Sequence, residues 1–66
     1  MPLVQVSMWK GISEEKVKQI IQGITDVFVN MGIPSRAVHV IVYETPKSNW
    51  GIDGKPATEA LPDEQP

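Results

Sequence analysis

Only one stretch of this chain repeats with a helical period, and it lies between two stretches that repeat as strands. Val17, Ile20, Ile21, Ile24, Val27, Phe28 and Met31 recur at spacings of three and four, which places them on one stripe of an α-helix. Ser13 precedes the stripe as an N-cap, and Glu14 and Glu15 fall in the first turn, where carboxylates complement the helix dipole. Gly32 is placed to be the C′ residue and Pro34 to stop the helix. Gly23 sits at the edge of the stripe and costs ~1 kcal/mol against alanine, so close packing against a neighbouring backbone is its expected reason.

Residues 3–9 alternate, with Val4, Val6 and Met8 on one face and Leu3, Gln5, Ser7 and Trp9 on the other. Residues 38–44 are rich in β-branched side chains and apolar on both faces, the pattern of a strand covered on both sides. Residues 45–49 read as a loop, and 50–55 as a short hairpin turning at Asp53-Gly54. One domain is expected over 1–58, followed by a polar, proline- and acid-rich tail over 59–66. The chain reads as loosely ordered from Pro56 onward, with Leu61 its one large apolar anchor.

Strand, helix and strand predict an α/β fold: a right-handed β-α-β subunit with two parallel strands, one long helix and a short C-terminal hairpin. One helix covers one face of the sheet. The other face carries Leu3, Trp9, Ile41 and Tyr43, and no second helical pattern is present to cover it. A chain of 66 residues buries only ~60% of its unfolded surface, and a two-stranded sheet is not stable alone. Cysteine is absent, so disulfides cannot compensate, and His39 is the sole histidine, too few for a two-histidine zinc site. Assembly of several copies is the remedy that remains.

The charge balance excludes other classes. Six Lys and Arg against eight Asp and Glu give a net charge of −2, too mild and too evenly spread for a nucleic-acid footprint. No apolar run approaches the ~20 residues of a membrane span, and a cytoplasmic protein is expected. There is no glycine-rich phosphate loop, no Ser/His/Asp arrangement and no metal cluster, so neither metal nor organic cofactor is expected. What remains is the start of the chain. Loss of Met1 would leave Pro2 with a free secondary amine fixed by the first strand. An α-amino group has an ordinary pKa of ~7.7–8.0, and burial near Leu3, Trp50 and Ile52 would lower it by disfavouring the charged form. Such a neutral amine serves as a general base at physiological pH.

Met1-Pro2, the β-α-β pattern, Gly11 followed by Ser13-Glu14-Glu15-Lys16, and Glu44-x-x-Lys47-x-Asn49-Trp50-Gly51-Ile52-x-Gly54 together resemble the 4-oxalocrotonate tautomerase family. The resemblance runs from Pro2 to about Thr58. It implies a β-α-β subunit that dimerises and assembles into a hexamer, and an enzyme that interconverts enol and keto forms of small 2-oxo acids. By resemblance Pro2 is the general base, and Trp50 lines the apolar pocket.

Two departures bear on the substrate. The diacid tautomerases carry an arginine directly after the glycine, where Ile12 stands here, and another in the second strand, where His39 stands. Such arginines hold carboxylate and polarise carbonyl, and one lost preorganised donor can cost ~3–4 kcal/mol, so dicarboxylates should be poor substrates. His39 is a candidate substitute, or a histidine hydrogen-bonded in a subunit interface. Arg36 is a second candidate anion contact, against the ordinary reading of a solvated loop arginine. Lys10 reads as an exposed strand-end lysine and Tyr43 as a packing residue. The expected pocket therefore joins Pro2 to Leu3, Arg36, His39, Trp50 and Ile52, between subunits, around a small-molecule substrate that is a monocarboxylate or aryl enol. The alternative is a non-catalytic or partner-dependent subunit whose companion chain supplies the arginines.

Overall fold

The two expected periods appear where the sequence places them. In the computed structural model, which describes residues 1–61, the strand β1 spans Leu3–Trp9 and the helix α1 spans Glu14–Val29. A single 3-10 turn at Ser35–Ala37 leads into β2, His39–Thr45, one residue later at each end than expected. β1 and β2 are parallel and in register from Leu3↔His39 to Trp9↔Thr45. The ladder is prolonged at both ends, by the His39 N–H donating to the Pro2 carbonyl at 3.0 Å and the Lys10 N–H to that of Thr45 at 2.9 Å.

Helix α1 is bounded by side-chain and backbone chemistry at both ends. The Ser13 hydroxyl accepts from the Lys16 N–H at 3.2 Å, removing one of the orphan donors of the first turn. At the far end the Gly32 N–H donates to the Val29 carbonyl and the Ile33 N–H to that of Phe28, with Gly32 at φ +94°. That pair of bonds around a left-handed glycine is the Schellman closure. Met31, the last residue of the apolar stripe, consequently falls outside the helix and is 69% exposed.

The sheet has two unlike faces. Val4, Val6 and Met8 of β1 and Val40 and Val42 of β2 point to one side, and all are partly covered. On the other lie Leu3, Gln5, Ser7 and Trp9 beside His39, Ile41, Tyr43 and Thr45. Leu3 (51%), Ile41 (39%) and Tyr43 (47%) are exposed there. Within one protomer β2 is thus covered on a single side: α1 is the one long helix among the described residues, and it packs against β2, whose valine face is the half-buried one.

After β2 a second 3-10 turn, Lys47–Asn49, occupies what the sequence suggests is an open loop. β3 (Gly51–Ile52) and β4 (Lys55–Pro56) then pair antiparallel around Asp53 at φ +54° and Gly54 at φ +77°, the two positive dihedrals of a type I′ turn. Residues 56–61 are more regular than expected. Pro56 closes the hairpin, Ala57–Ala60 forms one helical turn, α2, and the Leu61 N–H bonds back to the Ala57 carbonyl at 2.8 Å. α2 runs across position 58, and residues 62–66 of the expected tail lie outside the described residues. What orders this segment is the Ala57 N–H donating to the Trp50 carbonyl at 2.6 Å, with Ala57 wholly buried beneath it. The protomer supplies no such neighbouring backbone for Gly23: the residue is exposed, and a Cβ built there meets nothing within 4 Å.

Candidate active site

The parallel ladder sorts the candidate residues by end. Pro2 is half-buried and precedes β1 directly, with its carbonyl held by the His39 N–H. Leu3 and His39 are register partners on the open face. Arg36, exposed in the turn just before β2, stands three residues ahead of His39. One protomer therefore brings Pro2, Leu3 and His39 together at the N-terminal end of the sheet, with Arg36 on the approach.

Trp50 and Ile52 lie at the other end. The Trp50 ring meets that of Trp9, the last residue of β1, with centroids 5.9 Å apart and planes at 77°, an edge-to-face pair. From Leu3 to Trp9 the strand advances ~20 Å at ~3.3 Å per residue. Trp50 is thus remote from the Pro2 of its own chain. Ile52 follows it in the hairpin, and Lys10 and Ile12 directly follow β1 at this same end. Ile12 lines an open cleft of about 340 Å³ with Glu14, Val17, Lys18 and Glu44, on the helix side of the sheet. A Glu44 carboxylate oxygen accepts from the Gly11 N–H at 3.2 Å beside it. Tyr43 sits mid-sheet, and its hydroxyl accepts from the Gln5 side-chain amide at 3.5 Å on the open face. It is not packed away within the protomer.

The sequence alone did not reveal the company Trp9 keeps. The Lys47 ammonium lies over its ring, 4.7 Å from the centroid. Its indole N–H is buried and has no hydrogen-bond acceptor among the described residues. Trp9 reads from its position as one more residue of the uncovered sheet face. Its meeting with Lys47 and Trp50 depends on how the chain returns after β2, for which the spacing holds no signal. Among the described residues no three His, Cys, Asp or Glu side chains gather as a metal site, and no helix is long and apolar enough to cross a membrane.

Comparison with known proteins gives a consistent picture. The family model described as tautomerase enzyme matches residues 2–60. The 2-hydroxymuconate tautomerase of Comamonas testosteroni is 43% identical over 60 residues, covering 89% of this chain and 95% of its own length. Among solved structures, a 4-oxalocrotonate tautomerase isozyme from Methylibium petroleiphilum superposes with a TM-score of 0.83 at 31% identity, over 91% of this chain and 98% of its own. A heterohexameric 4-oxalocrotonate tautomerase from Chloroflexus aurantiacus shares the fold, with a TM-score of 0.80 at 23% identity over 89% and 97% of the two chains.

Proposed function

The chain belongs to the tautomerase enzyme family, and from that premise we propose that it interconverts the enol and keto forms of a small monoanionic 2-oxo acid, with Pro2 as the base once Met1 is removed. The Pro2 nitrogen takes the enol hydroxyl proton as the carbonyl forms. The electrons of the carbon–carbon double bond then collect that proton from the prolinium, which restores the neutral amine. The chemistry is acid–base throughout. The His39 imidazole, carried by the residue whose backbone N–H holds the Pro2 carbonyl, is the donor this reading assigns to the oxygen where charge develops.

The observation that carries this reading is the split between the two ends of the sheet. Pro2, Leu3 and His39 form a corner with no aromatic wall, while Trp50 and Ile52 form a wall about a strand length away. Two copies placed side by side in opposite directions bring the wall of one to the corner of the other. A hexamer, as in the heterohexameric relative, repeats that contact and covers the open sheet faces. Shielding by Trp50, Ile52 and Leu3 favours the uncharged amine. The substrate is a monocarboxylate or aryl enol, because Ile12 and His39 stand where a diacid would need arginines, and the setting is cytoplasmic.

The test is Pro2→Ala, with the mature wild-type mass checked for loss of Met1. General-base catalysis contributes roughly 10²–10⁴-fold, so ketonisation of phenylenolpyruvate should fall by at least about a hundredfold. An alanine variant that retains the wild-type rate refutes the proline base. The same two positions, Ile12 and His39, favour a second reading, a hetero-oligomer whose companion chain brings the arginines. A single purified chain that assembles and turns over the enol by itself excludes it.

A further inference from the structure

Six lysines and arginines are present, and five of them, Lys10, Lys16, Lys18, Arg36 and Lys55, are exposed. Lys47 is the exception. It is half-buried at the start of the Lys47–Asn49 turn, and its ammonium is held over the Trp9 ring at 4.7 Å. Trp9 in turn packs edge-on with Trp50 at 5.9 Å. A cation seated on an aromatic face loses part of its hydration and much of its rotamer freedom before any ligand arrives. Its position is thereby fixed in a way that a solvated lysine's is not. Beside it, the Trp9 indole N–H is buried without an acceptor among the described residues, and a donor of this kind costs free energy until an acceptor reaches it.

We infer that Lys47, positioned by Trp9, is the cation that binds the substrate carboxylate in place of the two absent arginines. The inference rests on the proposed role of Trp50 as the wall facing the Pro2 of a neighbouring copy, since Lys47 and Trp9 join the site through that wall. The Trp9–Trp50 pair receives the apolar part of the substrate and Lys47 its charged end. A point charge accepts one carboxylate without the fixed fork that a guanidinium offers, which suits a monoanion. It also separates the duties: the corner at Pro2 and His39 handles the proton, and the Lys47 cluster handles orientation.

Binding tests this independently of turnover. Fluorescence quenching of Trp9 and Trp50 in the assembled wild-type protein would be titrated with 3-phenylpropanoate and with its uncharged amide. The wild type should prefer the carboxylate by about ten- to a hundredfold, the range of a hydrogen bond to a charged group. Lys47→Met, which keeps an apolar stem over Trp9, should lose the preference, and Lys47→Arg should keep it. In turnover, Lys47→Met should raise KM for phenylenolpyruvate about tenfold with kcat little changed, while the enol of phenylacetaldehyde, which carries no carboxylate, is unaffected. A wild type with no preference, a Lys47→Met protein that retains it, or an equal loss on charged and neutral enols overturns the assignment. Pro2→Ala in the same turnover assay separates the two ideas. If it stays active while the carboxylate preference still depends on Lys47, the proline base fails and the Lys47 assignment stands.

Discussion

Ile41→Asp is the sharpest probe of whether this protein works only as an assembly. Ile41 lies in the middle of β2 on the open face, 39% exposed, between the exposed Leu3 and Tyr43. Fully burying such a side chain is worth ~1.5–3 kcal/mol, so withdrawing the exposed two-fifths of Ile41 on association contributes ~1 kcal/mol per copy. Aspartate forfeits that and leaves a short carboxylate inside an apolar contact, at several kcal/mol more. A combined loss of about 4 kcal/mol per copy raises the dissociation constant by roughly a thousandfold. Sedimentation velocity at micromolar concentration should show Ile41→Asp as a monomer where the wild type sediments as an oligomer. Enol turnover should disappear with it, because Pro2 and Trp50 then have no means of meeting. Lys18→Asp, a charge change on the exposed side of α1, is the control and should leave the mass unaltered. An Ile41→Asp protein that keeps the wild-type sedimentation coefficient would refute the claim that this face is where copies pack.

Two further substitutions test the fold and the substrate reading. Gly23→Ala should raise the melting temperature, by an amount equivalent to ~1 kcal/mol, because the added methyl meets nothing within 4 Å and alanine favours the helix; a lower melting temperature would show that another copy approaches there. Ile12→Arg should increase kcat/KM for a dicarboxylate enol at least about tenfold while altering that for a monocarboxylate far less, since a bidentate cation answers a second carboxylate; equal change on both substrates would count against the account given for Ile12.

The elements that repeat were legible from the residues. Period-two alternation located β1, the valine-rich run located β2, and the 3.6-residue stripe located α1, because each pattern reflects which side a residue must hide. Local chemistry was equally readable where one residue type is demanded by the backbone, as at Ser13, Gly32 and Asp53-Gly54. Less visible was structure held by contacts distant in sequence. Nothing periodic announces the turn at Lys47–Asn49 or the helical turn Ala57–Ala60, which depends on a bond from Ala57 back to Trp50. The same holds at the site. The motif around Trp50 pointed to the family, whereas the neighbourhood of Pro2 and His39 depends on strand register, which alternation leaves open. The Trp9–Lys47–Trp50 cluster did not, since it is made by a chain return that pattern does not encode. Gly23 misled because its tolerance in a helix suggested a neighbour that the protomer does not supply.

Ala57 is the one described residue with no exposure at all, and a polypeptide with so slight an interior has little to lose by opening. In the proposed assembly mass action governs durability: a concentrated solution should resist heat and proteases, and a dilute one should melt and be digested sooner. Concentration then acts as a control on lifetime, with the unassembled copies of a dilute solution the first to be cleaved.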